Sequence, residues 1–146
     1  VFFGTFTHTI DAKGRTALPA KLRESLAAAG EPRIVLMRNA VTRSVLCLPQ
    51  SVWSKVAESV MAASPFDAVV QRNVLKQVAT AHAVELDGSG RVLVPPDLRS
   101  YAGLHKDVVW AGMGPHLVLF DKATFEAEVE AEIPEEKQWD FLKGRS

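Results

Sequence analysis

The sequence predicts an α+β, β-rich fold made of two tandem hairpin–helix units with peripheral helices. Three observations carry that expectation. The chain repeats itself: Asp11-Ala-Lys-Gly-Arg15-Thr-Ala-Leu-Pro19-Ala-Lys-Leu22-Arg23 aligns with Asp87-Gly-Ser-Gly-Arg91-Val-Leu-Val-Pro95-Pro-Asp-Leu98-Arg99 at an offset of 76, with six of thirteen positions identical. The similarity resumes at an offset of 72, where Val45-Leu46-Cys47-Leu48 faces Leu117-Val118-Leu119-Phe120 and Trp53 answers Phe125. The change of offset reads as four residues lost from the middle loop of the second copy. Each copy also holds short runs of β-branched and aromatic residues, and Pro and Gly punctuate the helix-forming stretches between them.

In chain order, Phe3 to Ile10 reads as a strand, continued beyond Gly14 by Thr16-Ala17-Leu18. Pro19 suits the first position of a helix over Ala20 to Ala29, and Gly30 suits its stop. Ile34 to Met37 and Val45 to Leu48 form a strand pair, after which Pro49 opens a helix carrying Val52, Trp53, Val56 and Val60. Ser64-Pro65 is expected to cap a connecting helix to about Val78, with Phe66, Val70, Val74, Leu75 and Val78 on one face. Copy two repeats the plan: Val84 to Leu86, Val92 to Val94, a helix from Pro96 to Tyr101 closed by Gly103, Val108 to Trp110, Leu117 to Phe120, and a helix from about Lys122. A last helix after Pro134 holds Trp139 and Leu142. The divisions are residues 5–51 for the first repeat, 52–80 for a helical connector, 81–124 for the second repeat and 125–146 for an acidic helical tail.

The 146 residues are 47% hydrophobic and 23% charged, which excludes wholesale disorder. No run approaches the roughly 20 apolar residues of a membrane-spanning helix. The start Val1-Phe2-Phe3-Gly4-Thr5 lacks the pattern of a secretory signal. Cys47 is the single cysteine, which removes a disulfide framework. A reducing cytoplasm is therefore the expected compartment, with no membrane as a partner. The net charge of zero conceals an asymmetry: residues 1–73 hold nine Lys and Arg against five acids, and the second half carries the balancing excess of acid. Such a split suggests that one end meets a polyanion while the other stays solvated.

The turn of each hairpin carries the most chemistry. In Asp11-Ala12-Lys13-Gly14-Arg15 and Asp87-Gly88-Ser89-Gly90-Arg91, the Asp can accept from backbone N–H groups two residues on, and the Gly can take positive φ. Asp11, Gly14, Asp87 and Gly90 are thus read as turn-forming residues. Arg15 and Arg91 leave two readings open. Each pairs with its Asp and braces the turn, or each presents its guanidinium to phosphates or base edges, as a two-stranded ribbon can.

These residues, with the opening Phe2-Phe3-Gly4, the stretch Val108-Val109-Trp110-Ala111-Gly112-Met113-Gly114 and the entry Leu119-Phe120-Asp121, resemble the paired hairpin signatures of the MraZ proteins, tandem members of the AbrB/SpoVT swapped-hairpin DNA-binding superfamily. The resemblance spans roughly residues 1 to 130. It implies two AbrB-like units closing a pseudo-twofold swapped-hairpin β-barrel. It also implies a cytoplasmic, nucleoid-associated transcription regulator that binds double-stranded promoter DNA at repeated sites ahead of the division and cell-wall gene cluster, as a ring-shaped homo-oligomer.

Within that reading Lys13 and Arg15 are the first candidates for DNA contact, followed by Arg91, Lys21 and Arg23. Copy one is the expected main contact, because copy two places Ser89 where copy one has Lys13 and Asp97 where it has Lys21. A protein-interaction scaffold or antitoxin-like module using the same hairpins is the alternative. A weaker one is a nucleotide-binding enzyme using Gly88-Ser89-Gly90, which lacks the full phosphate-loop spacing. His8, His82, His105 and His116 have no short metal spacing, no Gly-x-Ser-x-Gly elbow occurs, and Cys47 reads as core. No enzyme, cofactor, metal or small-molecule substrate is expected.

Overall fold

A computed structural model describes residues 1–31 and 33–143; the last three residues assigned to the tail lie outside it. The first repeat contributes β1 (Thr5–Thr9), β2 (Arg15–Ala17), α1 (Ala20–Ala29), β3 (Arg33–Arg38), β4 (Val45–Pro49) and α2 (Gln50–Met61). The connector holds α3 (Ala68–Asn73) and a π-helical turn (Val74–Val78). The second repeat contributes β5 (His82–Glu85), β6 (Arg91–Leu93), α4 (Pro96–Ala102), β7 (Asp107–Gly112), β8 (Leu117–Asp121) and α5 (Lys122–Glu130).

Six strands form one antiparallel sheet in the order β1-β7-β8-β4-β3-β5, and β2 and β6 form a separate antiparallel ribbon. The pairing crosses between copies. Strand β1 pairs with β7 of the second copy, and β5 pairs with β3 of the first. The central seam β4–β8 and the ribbon β2–β6 each join one strand from either copy. The sheet is open, which corrects the expected closed barrel. Strands β1 and β5 remain its edges, because β2 and β6 are only three residues long and pair with each other. A single bridge, Ile10 to Thr16, links β1 to β2, and Pro19 and Pro95 turn the chain into the helices soon after.

The core is filled from both copies in matched positions: Leu18 with Val94, Leu22 with Leu98, Ile34 with Val108, Leu36 with Trp110, and Cys47 with Leu119. Cys47 is wholly buried, and burial pushes its thiol pKa up. Trp110 is wholly buried and donates its Nε1–H to the Ala17 carbonyl at 3.1 Å, which ties the ribbon to the sheet.

Three further expectations are corrected. The four-residue difference is not one deletion: α4 has seven residues against ten in α1, the following connection is one longer, and the β7–β8 loop is two shorter than the β3–β4 loop. The connector helix starts at Ala68, not at Ser64-Pro65. Asp67 caps it by accepting from the Val69 and Val70 N–H groups at 2.8 and 3.2 Å, a stronger local start than Ser64 offers. Phe66 and Leu75 are exposed there, while Val70, Val74 and Val78 are half-buried. After Pro134 the chain forms a 3₁₀ turn (Glu135–Lys137) and a short α6 (Asp140–Lys143), with Trp139 between them, instead of one helix. Trp139 and Phe141 make a tilted 5.9 Å ring contact and remain exposed, so among the described residues no buried face holds a longer helix together.

Candidate nucleic-acid interface

The two turns fold alike for the same local reasons. The Asp11 carboxylate accepts from the Lys13 and Arg15 backbone N–H groups at 3.0 and 2.9 Å, and the Asp87 carboxylate accepts from Ser89 and Arg91 at 2.9 Å each. The second carboxylate oxygen takes the guanidinium Nε–H, from Arg15 at 2.8 Å and from Arg91 at 3.0 Å. The backbone N–H of each arginine is the largest influence holding its aspartate below the usual carboxylate pKa; desolvation, next in size, opposes it, and the guanidinium adds to the lowering. Gly14 and Gly90 have φ of 93° and 76°, the left-handed region that a residue with a side chain resists.

The turns also clamp one another. The Gly14 carbonyl accepts from the Val94 N–H at 2.8 Å, and the Gly90 carbonyl accepts from the Leu18 N–H at 3.0 Å. Arg99 of α4 lies against Gly14, where an added Cβ would meet its Nε at 2.7 Å. Arg23 of α1 lies in the same way against Gly90. Each helix arginine therefore packs on the hairpin of the other copy.

The ribbon sorts its residues by alternation. Thr16 and Val92 face each other across the register and are buried. Arg15, Ala17, Arg91 and Leu93 occupy the opposite, outward face, with Arg15 opposite Leu93 and Ala17 opposite Arg91. Arg15 and Arg91 are thus diagonal neighbours, at a spacing of roughly 7–8 Å for such positions. A shallow groove of about 400 Å³ runs along this face, lined by both arginines together with His8, Asp11 and Lys106.

The residues singled out in the sequence therefore divide. Arg15 and Arg91 come together on one face, and both are braced by their aspartates through one of five N–H donors, so the fork itself is not consumed. Lys13 is exposed at the tip of its turn. Lys21 instead sits over the Phe3 ring at 4.9 Å, and Arg23 packs on the second turn; neither lines the groove with Arg15. Sequence reasoning missed Lys106, His8 and Arg99. For Arg99 the signal was present, since it is the last identical position of the repeat. Lys106 and His8 sit outside the matched segment, and only the β1–β7 pairing brings them to the ribbon.

This geometry defines a class: a tandem-repeat hairpin protein whose copies share one sheet and present an arginine-bearing ribbon between them. The family model described as "MraZ protein, putative antitoxin-like" matches residues 1–77 and again residues 78–141. A protein named Transcriptional regulator MraZ from Anaeromyxobacter sp. (strain Fw109-5) is 62% identical over 142 residues, covering 97% of this chain and 98% of that one. Proteins of the same name from Burkholderia cenocepacia and Saccharophagus degradans are 38% and 36% identical, covering 90% and 88% of this chain and 89% and 88% of their own. The chain belongs to the MraZ family.

Proposed function

We propose that the chain is a sequence-specific DNA-binding transcription regulator whose β2–β6 ribbon enters the major groove of a duplex. The observation that carries the reading is the shared groove in which Arg15, Arg91 and Lys106 meet. A two-stranded ribbon fits the major groove, an arginine fork pairs bidentately with guanine, and a lysine meets the phosphate backbone. Lys13, exposed beside Arg15, extends the basic surface toward a flanking phosphate. Lys21 and Arg23 remain secondary contacts, since one is spent on an aromatic ring and the other on the second turn. The names of the relatives support the regulatory role.

In this reading residues 5–51 and 81–124 act as two AbrB-like repeats whose exchanged strand pairing resembles a swapped hairpin, joined by the 52–80 connector. The target is repeated sites in the promoter of the division and cell-wall gene cluster, as the family resemblance implies, and the protein works at the nucleoid. One ribbon makes few contacts, so a ring of copies would turn weak binding into strong binding on correctly spaced repeats. Exposed Phe66, Val69 and Leu75 on the connector, with Trp139 and Phe141 on the tail, offer apolar surface for head-to-tail contact between copies.

Mobility shift on a duplex with tandem repeats, against a scrambled duplex at matched salt, tests the proposal. Preference for the repeats by tenfold or more supports it, and equal retention of both overturns it. A hairpin module that holds a protein partner would give the second result. Native mass spectrometry showing only monomer at micromolar concentration would remove the ring.

A further inference from the structure

A second basic site lies outside the ribbon groove and owes nothing to the DNA-binding reading. Between the β3–β4 loop, the π-helical turn and α4 is a pocket of about 380 Å³ lined by Arg38, Arg43, Asn73, Lys76, Gln77 and Tyr101. That volume falls in the range of small-ligand sites. Among the described residues no carboxylate lines it, and none of its three cations is in a salt bridge. Like charges do not gather unpaired without cost, so the arrangement needs a reason.

The site is held in shape by contacts with uncharged partners. The Arg38 and Arg43 guanidinium groups stack on the Tyr101 ring at 4.9 and 4.7 Å. The Tyr101 hydroxyl donates to the Asn39 carbonyl at 2.6 Å, fixing the ring to the loop. The loop is stiffened in turn by hydrogen bonds from the Asn39 amide to Thr42 and Ser44. The Arg38 Nε is buried with no hydrogen-bond partner among the described residues. Asn73, Lys76 and Gln77 come to one side because i, i+3 and i+4 share a helical face, and the π-helical turn holds Lys76 and Gln77. The repeat supplies a control. In the second copy Gly112 stands where Arg38 does, and the shorter loop Met113–His116 has no Lys or Arg, so the repeated fold does not itself require the cluster.

We propose that this pocket binds a phosphate group. Two planar guanidinium forks, one ammonium and two side-chain amides form a donor-rich set without an acceptor charge, which matches an anionic phosphate group better than any neutral ligand. The group could be carried by a free phosphorylated small molecule or by a DNA backbone.

The test is calorimetric titration of the full chain with inorganic pyrophosphate, comparing it with the Arg43→Gln/Lys76→Gln double variant. Both positions are exposed, so the fold is spared. Saturable binding that weakens about tenfold or more in the variant is expected, given the strength of charge-assisted hydrogen bonds. Repeating the titration with saturating duplex separates the sources. Unchanged pyrophosphate affinity, with the variant keeping the parent's salt dependence on DNA, identifies a free ligand. Displacement by duplex, with the variant's salt slope flattened, identifies a backbone phosphate. No heat, or equal heat from both proteins, overturns the proposal. A changed native mass in the variant overturns it too, because the cluster would then receive carboxylates from a second copy.

Discussion

The two hairpins have almost the same turn and different surroundings. In both, an aspartate gathers two backbone N–H groups and an arginine Nε–H with distances that agree within 0.2 Å. Hairpin one has Lys13 at its tip and a glycine pressed against backbone; hairpin two has Ser89 and a glycine pressed only against a side chain. The turn is thus conserved between copies by geometry, and what differs is charge at the tip and tolerance at the glycine. Duplication inside one chain allows this division, since each copy needs the other's strands but not the other's surface.

The largest break in that comparison comes from the glycines. A Cβ at Gly14 would lie 2.9 Å from the Val94 carbonyl oxygen as well as 2.7 Å from the Arg99 Nε, whereas the three atoms nearest a Cβ at Gly90 all belong to Arg23, the first two at 2.7 Å. Arg23 can swing away; the Val94 carbonyl cannot without tearing the clamp between hairpins. Both substitutions carry the left-handed penalty of about 1–2 kcal/mol. Gly90→Ala should cost about that, and Gly14→Ala about 3 kcal/mol or more, by denaturant unfolding. Equal losses would show that the clamp is not what distinguishes the turns.

Arginine replacement comes next. Arg15→Ala should weaken operator binding by about 1–3 kcal/mol if the fork reads a base edge, and Arg91→Ala should do the same, because both lie on the outward ribbon face. Unaltered affinity with an intact oligomer would leave the arginines as turn braces alone. Charge at the tips then sharpens the contrast. Lys13→Ser should flatten the salt dependence by about 0.9 in log–log slope for each engaged subunit, and Ser89→Lys should steepen it only if the second tip also meets phosphate. An unaltered slope for Lys13→Ser with a steeper one for Ser89→Lys would reverse the assignment of the main contact.

These contrasts also mark how much was legible in the sequence. The repeat, the turn chemistry and the strand and helix order could be read because they depend on neighbours within a few residues: Asp11 to Arg15, Pro19 before α1, Gly103 after α4. The meeting of Arg15 and Arg91 could not, because it depends on β2 choosing β6, a partner 76 residues away, over the adjacent β1. The same holds for Arg23, expected at DNA, and for Arg99: nothing near either in sequence shows that each crosses to the opposite turn. The closed barrel failed for a related reason. Whether β1 and β5 meet is decided by the length of the ribbon strands, and a three-residue strand leaves no ladder to bridge them.

Acid should act on both turns together. Asp11 and Asp87 have pKa values lowered below 3.8 in the folded chain, first by the arginine backbone N–H. A carboxylate with a depressed folded pKa contributes stability that is complete above its unfolded value and lost as pH falls through the folded one. The Arg15 and Arg91 Nε–H resonances should therefore hold steady from neutral pH to about pH 4 and shift together below it. A shift of either well above that range would mean that a group other than its aspartate governs the turn.

The smallest effect isolates one atom. Thr16 and Val92 occupy equivalent places in the repeats, face each other across the ribbon and are both 1% exposed. The Thr16 Oγ1 is buried with no hydrogen-bond partner among the described residues, while Val92 fills the same space with a methyl group. Burying a hydroxyl without a partner costs about 1–3 kcal/mol on mutational scales. Thr16→Val replaces it with an isosteric methyl and makes the two strands alike, so the stability read by thermal unfolding should rise by about 1 kcal/mol, the low end of that range. Operator affinity should stay put, because neither side chain reaches the outward face. A loss of stability above about 1 kcal/mol would mean that the hydroxyl is satisfied in solution, and that the first hairpin holds a polar contact at its base that the second has given up.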